Sequence, residues 1–220
     1  MTRSGQEERF QLSIARLVRA ARRNPLHVLS MLMALLRGTW YIWFYRLWRR
    51  SVIIRFPFKA FTKVTIMGPG SVFIDRHCAV RKNTFKGLSI VTLSSDARVW
   101  IGRQCNLGGL AIRCRKNISI GDRTMAAYSL LQDDLFMHDG STEGIVIGKE
   151  RSDTSITIGS NVWIAAQSIV LAGSDIRDDS VMSSGSACSE YFAPEYSLIM
   201  GNPAKRPMPI NRVLILRGEG

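Results

Sequence analysis

The sequence predicts an all-β fold, a β-helix preceded by a helical segment, and two observations support this prediction. Between Ile158 and Cys188 a large aliphatic or sulfur-containing side chain returns at every sixth residue, with a small residue at the fifth position of each hexad. Residues 1–63 lack this six-residue beat and are instead basic, aromatic and periodic at helical spacing. A chain of 220 residues is long enough for one sizeable domain and an appendage.

The hexads have a direct physical interpretation. In a hexapeptide β-helix each hexad forms one short strand and one corner. The first residue points inward and stacks on its counterpart one coil away, while the fifth residue has to fit a narrow corner, where Gly and Asn supply the turn. The first positions are Ile158, Ile164, Val170, Ile176, Met182 and Cys188, and the fifth positions are Val162, Ser168, Ser174, Ser180 and Ser186.

The same beat appears earlier in the chain, with a one-residue slip before Cys114. The first positions are Ile74, Val80, Ile101, Leu107, Cys114, Ile120 and Ala126, and the fifth positions are Cys78, Thr84, Cys105, Ala111, Ile118, Thr124 and Leu130. All four cysteines therefore fall on inward positions, and their spacing contains neither a CxxC pair nor a zinc pattern. We expect reduced core thiols of an intracellular protein, with no metal site.

The N-terminal segment concentrates the positive charge. Residues 1–63 contain thirteen Lys or Arg and two Glu, which accounts for +11 of the net charge of +13. The positive charge therefore belongs to one segment and not to the whole surface, and we take this distribution as an argument against a nucleic-acid binder. The apolar run Leu26–Trp48 is split by Arg37 and Gly38, so it is too interrupted to span a bilayer, whereas its tryptophans and following arginines suit a membrane interface. Alternatively, the segment packs on its own domain or on a neighbouring subunit.

From about Val64 to Pro209 the chain resembles a known protein family. The hexads, the phrase "ITIGSNVWIAAQSIVLAGSDI" and the ending "SLIMGNPAKRP" resemble the left-handed β-helix acyltransferases that use acetyl-CoA. A basic, aromatic start followed by "FPFKAFTKVTIMGPGSVFI" is similar, more narrowly, to O-acetyltransferases of bacterial surface polysaccharides. The resemblance implies a left-handed parallel β-helix over 64–209, between an N-terminal segment (1–63) and a tail (210–220). Ala165, Arg177 and Ser183 stand where this family usually has glycine.

The six-residue beat stops between Leu130 and Ile156. The interruption, at about 131–155, contains two adjacent aspartates and a histidine, and loops on a rigid scaffold often carry catalytic residues, so we interpret it as a catalytic loop. A sugar hydroxyl that attacks a thioester needs a base about 3 Å away, and neutral imidazole is suited to that task. His138 is the candidate base. The resemblance implies an orienting Asp four residues earlier, which is Asp134, with Asp133 as the alternative; the attack is direct, without a covalent acyl-enzyme.

The resemblance also implies where acetyl-CoA binds. In that family it lies in a groove between adjacent subunits of a homotrimer, contacted by backbone amides of the late coils. Here this implies backbone contacts at Ala166 and Ser184, a wall at Trp163, and Lys205 or Arg206 as phosphate partners.

The sequence thus predicts an O-acetyltransferase that moves an acetyl group from acetyl-CoA to a sugar hydroxyl of a bacterial surface polysaccharide or its lipid-linked precursor. The start "MTRSGQEERF" lacks the apolar core of a signal peptide, so we expect a cytoplasmic enzyme, peripheral on the inner face of the inner membrane. Three alternatives stay open: another acceptor, such as a nucleotide-sugar amine or an antibiotic hydroxyl; a non-catalytic trimeric membrane-associated scaffold; and a β-helix carbonic anhydrase. The last would need three converging histidines, and His27 lies outside the hexads, leaving only His77 and His138.

Overall fold

The computed structural model describes residues 25–82, 87–134 and 154–210. The first 24 residues, Thr84, His138 and most of the predicted tail lie outside these ranges.

The described chain is one helix followed by a parallel β-helix of about six coils. Helix α1 spans Pro25–Trp48. The strands are β1 Val52–Ile54, β2 Phe58–Ala60, β3 Val64–Met67, β4 Ser71–Ile74, β5 Cys78–Val80, β6 Leu88–Thr92, β7 Arg98–Ile101, β8 Asn106–Gly108, β9 Ala111–Cys114, β10 Asn117–Ile120, β11 Met125–Ala127, β12 Leu130–Gln132, β13 Ile156–Ile158, β14 Trp163–Ile164, β15 Ile169–Leu171, β16 Asp175–Ile176, β17 Val181–Met182, β18 Ala187–Cys188, β19 Phe192–Ala193, β20 Ser197–Ile199 and β21 Met208–Pro209.

Three parallel sheets form the walls of a prism, and each coil gives one strand to each sheet. The first sheet runs β1-β4-β7-β10-β13-β16-β19, the second β2-β5-β8-β11-β14-β17-β20, and the third β3-β6-β9-β12-β15-β18. Strand β21 pairs antiparallel with β20 at the far end of the second sheet. The prediction of a left-handed parallel β-helix preceded by a helix is confirmed.

The hexad positions fill the core as expected. Every first-position residue from Ile158 to Cys188 is buried, and so are the small fifth-position residues. The Ser168 hydroxyl donates to the carbonyl of Ser183 at 3.0 Å, and the Ser180 hydroxyl donates to that of Pro194 at 3.3 Å. Ser168 and Ser180 therefore fit the narrow corners and also bond to the following coil, which satisfies their buried hydroxyls.

The register departs from the prediction at one corner of two coils. Ala111 and Leu130, expected to point inward, are only half-buried, while Leu110 and Ser129 are buried in their place. In a regular coil the corner residue with a positive φ lies three positions after the inward residue, as Gln167 does after Ile164. At the departing corner Tyr128, which also has a positive φ, lies only two positions after the inward residue Ala126. The contraction by one residue lies just before the left-handed corner and shifts the inward position accordingly.

The β-helix also begins earlier than predicted. Strand β1 pairs in register with β4, and β2 pairs with β5, so the first coil starts at Val52 rather than at residue 64. Ile54, Ala60 and Ile66 keep the six-residue beat and are buried. Aromatic and basic residues between them hide the beat in the sequence.

Helix α1 packs across the first coil. Its backbone passes so close to β2 that a Cβ at Gly38 would lie 1.9 Å from the carbonyl oxygen of Phe58. The Tyr45 hydroxyl accepts from the backbone N–H of Ile66 at 2.9 Å, and Arg49 donates to the carbonyl of Ile66 at 3.1 Å. These side chains satisfy polar groups along the outer edge of β3, so one face of α1 closes this end of the β-helix. Within the described ranges no helix is long and apolar enough to cross a membrane.

Candidate functional site

The inserted loop leaves the β-helix at the end of β12 and returns at β13. Strand β12 still pairs with β9 on one side and β15 on the other, so the coils remain stacked around the insertion. The described stem consists of Asp133 and Asp134 on the outgoing side. His138, the predicted base, lies outside the described residues. The stem is therefore the part of the predicted catalytic site that the structure describes.

Asp133 is fully buried and anchors the stem. Its carboxylate accepts backbone N–H bonds from Arg115 at 2.5 Å, from Lys116 at 2.7 Å and from Asn117 at 2.9 Å. The Cys114 thiol donates to it at 3.5 Å. This carboxylate therefore closes the turn between β9 and β10, a structural role that no pattern in the sequence indicates.

Asp134 is placed differently. Its side chain is 14% exposed, and Oδ1 forms an ion pair with Nε of Arg115 at 3.0 Å. The second oxygen, Oδ2, is buried and has no hydrogen-bond partner within the described ranges. The Gln132 side chain donates to the Asp134 carbonyl at 2.5 Å, which fixes the backbone at this point. A buried carboxylate oxygen without a donor is costly, so Asp134 is poised to accept a hydrogen bond.

A basic cleft of about 720 Å³ lies beside the stem. Its lining residues are Ser94, Asp96, Arg98, Arg115, Lys116 and Asn117. Arg115 belongs both to this cleft and to the ion pair with Asp134, so the cleft and the stem are continuous. The cleft was not predicted, because its basic residues come from two coils and show no common spacing in the sequence.

The predicted cofactor residues gather along another corner, between the second and third sheets. The N–H of Gly185, next to Ser184, donates to the carbonyl of Ala166 at 3.0 Å, so these two predicted contacts occupy the same corner of successive coils. The N–H of Ala187 donates to the carbonyl of Gly201 at 3.0 Å, which places the "GNPAK" turn on the next level. Ser184, Lys205 and Arg206 are exposed there.

Trp163 lies on β14, just before this corner, with half of its surface exposed. It follows that the predicted cofactor residues share one edge of the prism.

Within the part of the chain that the structure describes, the loop stem and the cofactor corner do not meet. The stem lies where third-sheet strands end, and the cofactor corner lies where they begin. From Tyr128 at that corner to Asp133, five extended residues cover about 17 Å. A site that uses both therefore needs either a long reach of the inserted loop or a second subunit.

The four cysteines are buried free thiols. Burial, reinforced by the charge of Asp133, raises the pKa of Cys114 to about 12, and burial raises the pKa of Cys188 to about 11. A hydrogen bond with the Cys105 thiol, together with burial, raises the pKa of Cys78. Because the thiolate is the reactive form, these three thiols are poor nucleophiles. The hydrogen bond with the Cys78 thiol lowers the pKa of Cys105, but this thiol is buried in the core.

The fold and site together define a parallel β-helix with an inserted polar loop and an edge of exposed late-coil residues. No family model matches the sequence, and no curated protein matches it. Among solved structures, the polySia-specific acetyltransferase NeuO is 23% identical with a TM-score of 0.44, over 72% of this chain and 70% of that chain. A point mutant of AntD, an N-acyltransferase from Bacillus cereus in complex with dTDP and coenzyme A, is 16% identical with a TM-score of 0.38, over 75% and 86%. Similarities this low assign no activity to this chain.

Proposed function

We propose that this protein is an acetyl-CoA-dependent O-acetyltransferase that acts on a sugar hydroxyl of a bacterial surface polysaccharide or its lipid-linked precursor. The observation that supports it most is the buried Oδ2 of Asp134, which has no hydrogen-bond partner among the described residues and lies four residues before His138 at the stem of the inserted loop. A carboxylate in this state can hold one imidazole N–H and leave the other ring nitrogen free to act as a base.

The proposed reaction is a direct transfer. The acceptor hydroxyl attacks the carbonyl carbon of the acetyl thioester while His138 takes the hydroxyl proton. The C–S bond then breaks, the acetyl group stays on the sugar oxygen as an ester, and the proton passes to the thiolate to give free coenzyme A. Asp134 stabilises the imidazolium that forms between these events, since the charge develops next to a desolvated carboxylate.

The donor is proposed to lie along the edge that carries Ala166, Ser184 and the "GNPAK" turn. Exposed Lys205 and Arg206 suit the phosphates of coenzyme A, and Trp163 forms one wall. Because this edge is separated from the loop stem within one chain, we propose a homotrimer in which the stem of one subunit faces the donor edge of the next. The trimer is then required for activity.

The basic cleft beside the stem is the proposed acceptor site. Arg98, Arg115 and Lys116 favour an acceptor that carries a carboxylate or phosphate near the reacting hydroxyl, because these groups pair with guanidinium and ammonium. Acidic glycans and phosphate-linked sugars are therefore the acceptors to test first, with neutral glycans and amino sugars as comparison.

The experiment is a transfer assay with acetyl-CoA and this set of acceptors, in which released coenzyme A and the acetylated product are both measured. We expect His138→Ala to reduce turnover by about 100-fold or more, as for removal of a general base. Asp134→Asn should reduce it by about 10- to 100-fold, the value of one hydrogen bond to a charged group. His77→Ala, at an exposed position, is the matched control and should keep full turnover. Unchanged turnover in His138→Ala would refute the mechanism, and product only with amino acceptors would refute O-acetylation.

A further inference from the structure

We propose that the outward face of α1 docks the protein on an anionic membrane surface, with the first coil of the β-helix nearest the bilayer. The observations behind this proposal concern α1 and the residues next to it, and they are independent of the proposed activity.

Helix α1 has two apolar faces, and the β-helix covers only one of them. Ala34, Gly38 and Tyr45 face the first coil and are buried. The opposite side carries large apolar side chains at helical spacing: Leu29, Leu36, Trp40, Trp43 and Leu47, which are 57%, 67%, 57%, 70% and 80% exposed. We call these five residues the outer stripe. None of the described residues covers the outer stripe, and an exposed apolar patch made of several large side chains marks a site of association.

The aromatic residues of this surface favour contact with the membrane–water interface over packing in a protein core. Trp40 stacks on Phe44 at 5.0 Å between ring centroids, and Phe44 stacks on Trp48 at 6.1 Å, so the rings form an ordered ladder along the helix surface. Tryptophan is enriched where lipid headgroups meet acyl chains, because its ring is apolar and its N–H is a donor. The ladder therefore matches the depth at which an interfacial helix lies.

Charge decides between a membrane and a second copy of this chain. Residues 25–63 contain seven Lys or Arg and no Asp or Glu. At about 100° per residue, Arg37 and Arg46 fall on opposite flanks of the outer stripe. A second copy seated on the stripe would bring the same positive charges together, whereas anionic lipids would neutralise them. The surface is thus complementary to a negatively charged bilayer.

A cavity at the C-terminal end of α1 supports the same occupant. It has a volume of about 370 Å³ and is lined by Ile42, Arg46, Arg50, Val52, Ile53 and Ile54. Two guanidiniums beside aliphatic side chains suit a lipid phosphate with its glycerol, since the phosphate accepts from arginine and the apolar part contacts the aliphatic residues. We therefore expect an anionic lipid headgroup to bind in this cavity while the outer stripe contacts the acyl chains.

The packing of α1 fixes how the protein stands on the surface. Because α1 lies across the first coil, docking through the outer stripe leaves the later coils facing away from the bilayer. The loop stem belongs to the fourth coil, three strand spacings further on, which is about 15 Å above the first coil. For the activity proposed above, this distance suits an acceptor that is held at the membrane by a lipid and projects from it.

Vesicle flotation of the full chain tests the proposal. We expect binding to phosphatidylcholine vesicles that contain about one third phosphatidylglycerol, and much weaker binding to phosphatidylcholine alone. The combined Trp40→Ser, Trp43→Ser, Leu47→Ser variant should lose binding to both. Arg46→Gln with Arg50→Gln should bind the anionic vesicles about 30-fold more weakly, at about 1 kcal/mol per arginine.

The matched control is Phe192→Ser, which removes a 59% exposed aromatic ring at the far end of the β-helix and should float like the parent chain. Circular dichroism checks that each variant is folded, and the arginine pair provides the test if the apolar variant is not. The proposal fails if the full chain ignores anionic vesicles or if a folded outer-stripe variant still floats. It also fails if that variant only lowers the mass measured by light scattering, because a second copy would then cover the stripe.

Discussion

Asp133→Asn and Asp134→Asn form a matched pair, because both remove one negative charge from adjacent residues of the loop stem. Asp133 is fully buried and accepts backbone N–H bonds from Arg115, Lys116 and Asn117. Asp134 has one ion pair with Arg115, whose side chain is 52% exposed. The same chemical change should therefore act on stability at one position and mainly on catalysis at the other.

The magnitudes follow from these contacts. An amide at residue 133 keeps at most one accepting oxygen and turns its NH₂ toward an N–H, so at least one bond to a charged acceptor is lost in a dry site. One such bond contributes about 1.5 to 3 kcal/mol, and the facing donors add to the loss, so we expect Asp133→Asn to lower the free energy of unfolding by about 2 to 4 kcal/mol. Asp134→Asn should lower it by about 1 kcal/mol or less, since its arginine partner is largely in water.

Urea unfolding followed by circular dichroism measures both changes. With a slope of about 2 kcal/mol per molar urea, Asp133→Asn should move the midpoint down by about 1 to 2 M and Asp134→Asn by about half a molar or less. The transfer assay on the folded variants then compares catalysis. Equal midpoints for the two variants would refute the assignment of Asp133 as the structural carboxylate.

Three further predictions test other parts of the structure. Gly38→Ala should lower the free energy of unfolding by about 1 to 3 kcal/mol in thermal melts, because the new Cβ would lie 1.9 Å from the carbonyl oxygen of Phe58; an unchanged melting temperature would contradict this packing. The native protein should show no thiol that reacts rapidly with a disulfide reagent at pH 8, since all four cysteines are buried and the pKa of Cys114 is raised to about 12; one fast thiol would contradict it. The N–H and guanidinium of Arg103 hold the pKa of Asp122 below its ordinary value of 3.8, so this carboxylate stabilises the fold above that pH, and its contribution is lost as the pH falls through the lower folded pKa; Asp122→Asn should remove that part of the acid sensitivity, and identical acid titrations of both proteins would contradict it.

The coil interior was largely predictable, because the inward positions obey a simple spacing rule. From Ile158 onward a buried aliphatic residue is needed at the same place in every hexad, and the corners accept only small side chains, so the chain repeats the same choice. The inserted loop was predictable for the same reason, since a break in a regular pattern is visible without any knowledge of contacts.

Other features depend on contacts between coils and leave no such trace. Asp133 looks like any loop carboxylate until the backbone of Arg115 to Asn117, more than fifteen residues earlier, is brought beside it. The contraction before Tyr128 and the start of the first coil at Val52 were missed because a shift of one residue, or a few aromatic insertions, disguises the spacing. The division of α1 into covered and uncovered faces was equally hidden, because both faces are apolar.

The covered ends of the β-helix affect how readily copies of the chain add to one another end to end. A parallel β-helix is a potential template at each end, since its terminal strands present unpaired amides to which another chain could add, layer upon layer. Here Tyr45 and Arg49 occupy backbone groups of β3 at one end, and β21 runs antiparallel to β20 at the other. By occupying these backbone groups, α1 and β21 oppose the addition of further coils at both ends of the β-helix.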